Sequence, residues 1–311
     1  MRKTYMKILF AGSPGSSAEI LQDLFNQECE IVGVISQPDK RSKRSGGKDP
    51  SAVSVMANNL GLPLFKPSKI DNEFKEIIST IQCEFLVVSA YGKILPEWFL
   101  AHPDISSINV HFSLLPKYRG ASPIQSSLLN GDLDSGISIM KMTKGLDEGP
   151  IYSAEKITIP ENADKHFLET ELTKVANKVL FTTLLEVSKD KKLPTAQDDA
   201  DASYCTKITK SSGKVNFIDE DASSVIRKFN AFKNWPGIFF EKNNVVIKIH
   251  GIKLLSEILD VNESRNFYFC ADGLAVKTTS KTLVITHLQF PGKNIIASQD
   301  AANSYADFFA N

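Results

Sequence analysis

Two polar side chains suited to carbonyl chemistry stand two residues apart in the stretch INVHFSLLPKYRG, residues 108–120. Ile108 and Val110 alternate with Asn109 and His111, a pattern typical of a buried β-strand. Successive strand side chains point to opposite faces, so Asn109 and His111 share one face, about 7 Å apart. An amide N–H beside an imidazole can stabilise an oxyanion and move a proton. The end of this strand is therefore a candidate site for carbonyl chemistry.

A structural explanation of the same residues stays open at this point. A lone histidine on a strand is more often a hydrogen-bonded structural residue than a catalyst. An asparagine beside a turn is also commonly part of the turn. A second polar segment, KGLDEGPI at residues 144–151, adds Asp147 in a glycine-flanked loop. Asn109, His111 and Asp147 together form a candidate acid–base and oxyanion-stabilising set.

Length and composition restrict the class of protein. A chain of 311 residues suggests about two domains. Its net charge of zero gives no global attraction to nucleic acid or membrane, so any such affinity must be local. The apolar run after the basic N-terminus is too short for a signal peptide, and no run is long enough for a transmembrane helix. We expect a cytoplasmic protein without a membrane partner.

The cysteines argue against a structural zinc site. They are far apart in the chain and lack the paired spacing of zinc ligands. Free thiols in a reducing compartment are the expected state. The four residues are Cys29, Cys83, Cys205 and Cys270.

Alternating strand and helix patterns predict the architecture of the first part of the chain. Short apolar runs at residues 6–11, 30–36, 85–90 and 107–111 are separated by amphipathic segments. This alternation is typical of βαβ units. We expect an α/β fold with a Rossmann-like, doubly wound, mostly parallel sheet over residues 1–189. A long helix over about 164–188 closes this domain.

The composition and the apolar periodicity of the sequence change after residue 189. Residues 190–206 are polar and lack an apolar period, which predicts an inter-domain linker. Several short strands follow, and the pairs Asn243-Asn244 and Asp272-Gly273 are hairpin turn signals. We expect residues 207–311 to form a small C-terminal β-barrel of OB type.

The glycine-rich turn after the first strand, GSPGSS, does not support a nicotinamide cofactor. Its glycines stand at positions 12 and 15, and the second and third glycines of the dinucleotide fingerprint are absent. No acidic residue ends the second strand, where a ribose would need one. We interpret the segment as a tight strand-to-helix turn.

Two further loops follow strands at the same predicted edge of the sheet. The loop of residues 37–51 suits a polyanionic substrate, although charged runs are usually only solvated. Its cations are Lys40, Arg41, Lys43, Arg44 and Lys48. The loop of residues 87–96 offers backbone groups that could pair with a flat heterocycle, and a plain strand-to-helix connection explains it equally well.

Taken together, these segments closely resemble the methionyl-tRNA formyltransferases. The shared motifs are NVHFSLLPKYRGASPIQ, GLDEGPI, SAYGKILP, FAGSP and SQPDK, with FNAFKNWPG and DGLAV…LQFPGK in the second part. The resemblance covers nearly the whole chain. The Asn-x-His-x-Ser-Leu-Leu-Pro core with a downstream Gly-Leu-Asp is specific to folate-dependent formyltransferases. The C-terminal motifs narrow this group to the tRNA enzymes.

The resemblance implies a reaction and a partner. Members of the family transfer a formyl group from 10-formyltetrahydrofolate, a co-substrate, to the methionyl amine of initiator tRNA, and no metal is implied. They combine a Rossmann-like catalytic domain with a C-terminal OB-like domain that binds tRNA. We expect a monomer that acts in translation initiation.

The resemblance also assigns residues. Asn109, His111 and Asp147 fall on the catalytic trio. The folate-contacting segment corresponds to Ser113, Leu114, Leu115 and Pro116. The tRNA-acceptor loop corresponds to Lys40, Arg41, Lys43, Arg44 and Lys48. Here DKRSKRSGGK lacks the proline and early glycine of the usual Arg-Pro-Ala-Gly-Arg-Gly run, so individual phosphate contacts are not assigned.

Two alternatives stay open. A sister enzyme would formylate an amino sugar nucleotide with the same trio, and the C-terminal motifs and basic loop argue against it. A non-catalytic RNA- or folate-binding protein would be expected to lose one of the trio, and all three are present.

Overall fold

The computed structural model describes residues 6–27, 29–41, 47–255 and 266–310. The chain divides into two compact units. The first comprises Met1–Ile124, Leu133–Ile159 and Phe167–Thr206. The second comprises Gln125–Asp132, Pro160–His166 and Lys207–Asn311. The second unit therefore includes two short pieces that precede residue 207 in the chain.

Strands and helices are interspersed along the chain up to residue 188. The strands of the first unit are β1 Lys7–Gly12, β2 Glu30–Ile35, β3 Lys40–Arg41, β4 Lys48–Asp49, β5 Leu64–Phe65, β6 Phe85–Ser89, β7 Ser106–His111, β8 Arg119–Gly120, β9 Asp134–Lys141, β10 Ile151–Thr158 and β11 Tyr204–Cys205. The helices of the chain are α1 Gly15–Asn26, α2 Ala52–Asn59, α3 Asn72–Ile78, α4 Glu97–Leu100, α5 Pro123–Asn130, α6 Lys165–Ser188, α7 Ala222–Ala231 and α8 Ser298–Ala310. Single 3₁₀ turns lie at Asp199–Asp201 and Lys210–Gly213.

A seven-stranded sheet forms the centre of the first unit. Its order is β10-β9-β7-β6-β1-β2-β5. The strands β5, β2, β1, β6 and β7 run parallel, and β9 and β10 are added antiparallel at one edge. The chain moves outward from β1 to β2 and β5, then returns to β6 on the other side of β1. This order confirms the predicted Rossmann-like, mostly parallel sheet, whose carboxyl edge is where ligands bind in such folds.

The turn from β1 into α1 is as tight as the GSPGSS segment predicts. A Cβ at Gly12 would lie 2.9 Å from both the Ser17 Cβ and the Ser89 carbonyl oxygen, so a larger residue does not fit. The Ser17 hydroxyl donates to the Ser89 carbonyl at 2.7 Å, which joins α1 to the end of β6. The helix begins at Gly15, directly after Pro14, whose backbone is extended.

Residues 190–206 do not form the predicted linker, because they pack within the first unit. Thr195 and Ile151 exchange two backbone hydrogen bonds of 2.8 and 2.9 Å. Further on, β11 pairs in parallel with β8. We call residues 195–205 the strap. The strap is polar because it forms hydrogen bonds with the rest of the first unit. A search for apolar periodicity does not detect such contacts.

The second unit contains an antiparallel sheet of short strands. They are β12 Ile238–Lys242, β13 Val245–Leu254, β14 Phe267–Cys270, β15 Gly273–Lys277, β16 Thr282–Gln289 and β17 Ile296–Ala297. Their order is β12-β13-β16-β15-β14, with β17 on β16. Both predicted hairpins are confirmed, since Asn243 and Asn244 have φ of 50° and 61° between β12 and β13, and Gly273 with φ of 138° begins β15. Across the described residues this sheet does not close into a barrel.

Aromatic side chains fill the interior of the second unit. Phe240 and Phe267 stack with ring centroids 5.4 Å apart, and Phe217 meets Phe240 edge-on at the same distance. Phe309 of α8 lies 5.7 Å from Phe267. The piece Gln125–Asp132 is attached to this unit by Arg227 of α7, whose Nε donates to the Leu129 carbonyl at 2.9 Å.

No helix among the described residues is long and apolar enough to cross a membrane.

The Tyr91 hydroxyl is an unsatisfied polar group in the core of the first unit. Tyr91 is 2% exposed and packs among apolar side chains from the sheet, α3 and α4. Its hydroxyl oxygen makes no hydrogen bond within the described part of the chain. Burial raises the pKa of Tyr91 to about 12. An unsatisfied buried hydroxyl costs about 1–3 kcal/mol, so this group is expected to destabilise the fold.

We predict that Tyr91→Phe increases the free energy of unfolding by about 1 kcal/mol, because it removes the unsatisfied hydroxyl and keeps the ring. Equilibrium urea unfolding followed by circular dichroism measures the change.

Tyr152→Phe is the matched control. The Tyr152 hydroxyl is hydrogen-bonded to Ser106 Oγ at 3.2 Å, so its removal should lower stability by about 1 kcal/mol. Equal losses in the two variants would show that the Tyr91 hydroxyl is satisfied in solution.

Candidate active site

The carboxyl end of β7 places the first two candidate residues. Asn109 pairs with Met140 of β9, and His111 pairs with Ser138, so both backbones are held inside the sheet. His111 is 5% exposed, whereas Asn109 is half-buried. The predicted shared face is confirmed by Asp147, which contacts both side chains.

Asp147 connects the predicted trio. Its Oδ1 accepts a hydrogen bond from Asn109 Nδ2 at 3.3 Å. Its Oδ2 accepts from the Gly120 backbone N–H at 2.8 Å and lies 3.7 Å from His111 Nδ1. The three residues that the sequence placed on two separate segments therefore meet in one cluster.

The hydrogen bonds of His111 fix its neutral tautomer. Its Nε2 lies 2.9 Å from the Tyr118 carbonyl oxygen, which can only accept, so Nε2 carries the proton. In the neutral ring Nδ1 then presents a lone pair on the side of Asp147. Burial lowers the pKa of His111, while the charge of Asp147 and the Tyr118 carbonyl raise it. The site therefore holds an unprotonated nitrogen next to the carboxylate that would stabilise its protonated form.

The backbone around the cluster adopts unusual conformations. Tyr118 and Asp147 have φ of 60° and 52°, and Gly120 has φ of 124°. A Cβ at Gly120 would overlap the Cys205 carbonyl oxygen in the strap. Left-handed backbone at non-glycine residues costs about 1–3 kcal/mol and concentrates at functional sites. These turns aim the Gly120 N–H and the Asp147 carboxylate at each other.

Sequence reasoning missed a group of polar residues behind Asp147. Arg119 is only 2% exposed, and its Nε donates to Gln197 Oε1 at 3.0 Å. Its Nη2 donates to Asp199 at 2.7 Å, and its Nη1 donates to the Tyr204 hydroxyl at 3.3 Å. The signal in the sequence was Arg119 itself, which stands in the same motif as Asn109 and His111. An arginine is almost never fully buried unless it is paired, so a buried Arg119 would need polar partners elsewhere in the chain.

The predicted folate segment is bonded mostly to the protein itself. The Ser113 hydroxyl donates to the Lys117 carbonyl at 2.6 Å, and the Leu115 N–H donates to Ser138 Oγ at 3.0 Å. Ser113 and Leu115 are buried, whereas Leu114 and Pro116 are half-buried. Of the four side chains, Leu114 and Pro116 keep the most accessible surface.

The predicted cationic loop lies at the same edge of the sheet. Lys40 and Arg41 form β3 and pair antiparallel with Asp49 and Lys48 of β4; we call this pair of strands the basic ribbon. Lys40 and Lys48 are exposed. Lys43 and Arg44 lie outside the described residues. The ribbon follows the carboxyl end of β2, three strand spacings or about 14 Å from β7.

The loop after β6 is held by side chains that contact its backbone or reach out from it. Gln37 Nε2 donates to the Tyr91 carbonyl at 2.8 Å. Lys93 Nζ donates to the carbonyls of Pro67 and Ser68 at 2.6 and 2.8 Å. Next to Lys93, Ile94 is 92% exposed. The loop thus presents an apolar side chain from a fixed backbone, next to β7 in the sheet.

The buried thiols of Cys29 and Cys83 are weakly acidic. Burial, with a smaller effect of Asp23, raises the pKa of Cys29 to about 11. Burial, with a smaller effect of Asp104, raises the pKa of Cys83 to about 12, so neither is an activated nucleophile. Among the described residues, His, Cys, Asp and Glu form no group of three or more that could hold a metal ion.

Two family models match the chain in succession. Residues 6–184 match the formyl transferase model, and residues 207–306 match the model of the formyl transferase C-terminal domain. A relative from Caldicellulosiruptor saccharolyticus, named methionyl-tRNA formyltransferase, is 36% identical over 305 residues, covering 96% of this chain and 97% of the relative. A relative of the same name from Sulfurihydrogenibium sp. is 34% identical over 310 residues, covering 96% and 97%. The chain belongs to the methionyl-tRNA formyltransferase family.

Solved structures share the fold of this formyltransferase. HypX from Aquifex aeolicus, in complex with tetrahydrofolic acid, has a TM-score of 0.67 at 14% identity. The match covers 98% of this chain and 48% of HypX, so the chain spans about half the length of HypX. An N-formyltransferase from Helicobacter canadensis, in complex with folinic acid and dTDP-3-aminofucose, has a TM-score of 0.66 at 16% identity, covering 90% and 98%. At such identities the likeness shows the fold alone.

We predict that His111 of this formyltransferase titrates below its ordinary pKa of 6.5, because burial disfavours the charged ring. As the pH falls through 6.5, the unfolded chain binds a proton that the folded chain does not. The free energy of unfolding should therefore decrease as the pH falls toward the folded pKa. NMR titration of the imidazole and urea unfolding at several pH values measure both effects.

Two variants control this titration. His111→Gln keeps a donor for the Tyr118 carbonyl and should lose the part of the pH dependence that belongs to residue 111. Asp147→Asn removes the charge that favours the imidazolium, so the midpoint of His111 should fall further. A midpoint at or above 6.5 in the wild type contradicts a neutral, buried ring.

Proposed function

We propose that this chain transfers the formyl group of 10-formyltetrahydrofolate to the α-amine of methionyl-initiator-tRNA, giving N-formylmethionyl-tRNA for translation initiation. The observation that carries the proposal is the cluster of Asn109, His111 and Asp147 at the carboxyl end of β7. The relatives of this chain are named methionyl-tRNA formyltransferases, and the proposed tRNA substrate is inferred from this relationship. We also propose a monomer that acts in the cytoplasm.

The first step forms a tetrahedral intermediate. The amine lone pair attacks the formyl carbon on N10, and the carbonyl electron pair moves to oxygen. Asn109 Nδ2 uses one hydrogen for Asp147 and keeps the other for this oxyanion. Loss of one such donor typically costs about 3–4 kcal/mol of transition-state stabilisation.

His111 is proposed to carry the proton in the second step. Its Nδ1 lone pair accepts the proton from the attacking nitrogen, and Asp147 stabilises the resulting imidazolium across 3.7 Å. The imidazolium returns the proton to N10 as the C–N10 bond breaks, directly or through one water. General acid–base assistance of this kind contributes about 10²- to 10⁴-fold.

The folate donor is proposed to contact the segment of residues 113–116 and the loop after β6. Ser113 and Leu115 hold the segment in place through their bonds to Lys117 and Ser138. Leu114 and Pro116, which keep accessible surface, are then the contacting side chains. Tetrahydrofolic acid bound to HypX supports a folate ligand for this fold.

The tRNA is proposed to contact the basic ribbon and the second unit. Exposed cations at Lys40 and Lys48 support phosphate contacts, and Arg41, Lys43 and Arg44 are proposed to join them. Residues 207–306 match the C-terminal domain model of the formyl transferases. This match supports a role in tRNA binding for the OB-like domain that contains the antiparallel sheet.

We predict that Asn109→Ala, His111→Ala and Asp147→Asn each slow single-turnover formylation of methionyl-tRNA by at least about 10²-fold, because each removes one contribution to the steps above. Rapid quench of radiolabelled formyl donor measures the rate under saturating tRNA.

His102→Ala is the control, because His102 bonds the Ile81 carbonyl away from the trio. Near-normal rates in all three trio variants would overturn the proposed roles. Formyl transfer to an amino sugar nucleotide, without transfer to tRNA, would replace the proposed substrate.

We predict that Lys40→Ala combined with Lys48→Ala weakens tRNA binding and reduces the slope of log affinity against log salt by about 1.5, because two fewer counterions are released. Fluorescence anisotropy with labelled tRNA from about 50 to 200 mM salt measures the slope.

Lys156→Ala is a control for loss of a cation away from the ribbon, since Lys156 lies on β10, at the opposite edge of the sheet from β2 and β5. An unchanged slope in the double variant would remove the basic ribbon from the tRNA site.

A further inference from the structure

Gln197 lies in the strap, and both the nitrogen and the oxygen of its side-chain amide form hydrogen bonds near the trio. Gln197 Nε2 donates to the Asp147 carbonyl at 2.8 Å and to the Gly149 carbonyl at 2.7 Å. Gln197 Oε1 accepts from Arg119 Nε at 3.0 Å. The two amide hydrogens thus hold two carbonyls of the loop between β9 and β10, which we call the Asp147 loop.

Arg119 determines which end of the glutamine amide faces the Asp147 loop. A guanidinium can only donate, so the oxygen of Gln197 must lie on its side and the NH₂ group on the other. Arg119 is itself fixed by burial and by Asp199 and Tyr204. The direction of the amide is therefore set by a group that neither rotates freely nor loses its charge.

The strap also holds the second partner of the Asp147 carboxylate. Pairing of β11 with β8 places Tyr204 opposite Arg119 and Cys205 opposite Gly120. The Gly120 N–H donates to Asp147 Oδ2. The strap therefore acts on Asp147 from two sides, through its backbone by Gln197 and through its carboxylate by Gly120.

We infer that Gln197 is a positioning residue for formyl transfer: by holding the left-handed Asp147 backbone, it keeps the carboxylate within reach of His111 and Asn109. The kinetic part of this inference rests on the proposed function, and its structural part does not. Gln197 bonds the backbone of the Asp147 loop rather than the trio side chains, so its effect passes through Asp147.

The first test replaces Gln197 with side chains of similar size. Gln197→Met fills the same space and cannot hold the two carbonyls. Gln197→Glu keeps an acceptor for Arg119 and turns carboxylate lone pairs toward both carbonyls. Both variants should lower kcat by about tenfold or more and leave KM for tRNA and folate donor within about threefold, because positioning of Asp147 affects the transition state more than substrate binding.

The pH dependence separates positioning from general loss of structure. The measured quantity is the ratio of the variant kcat to the wild-type kcat, which cancels the pH dependence of the reaction itself. In Gln197→Glu a protonated carboxyl regains one donor for the loop carbonyls, so this ratio should rise as the pH falls. In Gln197→Met the ratio should rise less, because methionine has no proton to gain.

The matched control is Gln22→Glu on α1, where the Gln22 amide donates to Asn26 on the same helix. This substitution makes the same chemical change away from the strap. Its kcat ratio should stay near one at every pH. A rise of the same size in Gln22→Glu and Gln197→Glu would remove the pH evidence for Gln197 as a donor and contradict the inference.

The second test follows His111 by NMR and needs no substrate. If Gln197 keeps Asp147 near the ring, Gln197→Met should lower the His111 titration midpoint, because the stabilising carboxylate moves away. The same substitution in an Asp147→Asn background should leave the midpoint unchanged. This double-variant comparison assigns the effect to Asp147.

Each outcome has one meaning. A normal kcat in Gln197→Met, or an equal NMR shift in both backgrounds, overturns the inference. Wild-type protein that fails to formylate methionyl-tRNA overturns the proposed function, and the NMR comparison then still decides whether Gln197 positions Asp147.

Discussion

The hydrogen bonds of Asp147 are the interactions on which the rest of the site depends. One carboxylate oxygen accepts from Asn109 and the other from the Gly120 backbone, so each oxygen has a fixed direction. The second oxygen also faces His111 Nδ1. Since a strand places only Asn109 and His111, the third residue must be brought in by a loop, and a loop needs partners of its own to stay in place.

The strap supplies those partners, and this explains why its sequence resembles a linker. Gln197, Asp199 and Tyr204 are polar because they bond Arg119 and the Asp147 loop. A buried arginine left without such acceptors would be strongly destabilising. The polar composition of residues 190–206 is thus a consequence of what they hold.

The sequence predicted the parts of the site that depend on local periodicity. Alternation along β7 was enough to put Asn109 and His111 on one face, and turn residues identified both hairpins of the second unit. The polar segment of residues 144–151 made Asp147 a candidate partner of this pair, and the resemblance to a family then assigned all three residues to one catalytic trio. Local pattern could not predict the burial of Arg119 or the role of Gln197, because their contact spans 78 positions of the chain. Whether the sheet closes into a barrel likewise depends on pairing between strands that are far apart in the chain. The pattern of one short strand does not predict its partners.

Burial gives His111 and Asp147 complementary parts in the proposed chemistry. A histidine in water would be partly protonated near neutral pH, and the charged ring cannot accept a proton. Burial keeps the ring neutral before the reaction, while the nearby carboxylate makes protonation during the reaction less costly. The two effects oppose each other in the resting site and act in sequence during transfer. This balance depends on the distance from His111 to Asp147, and Gly120 and Gln197 hold Asp147 at that distance.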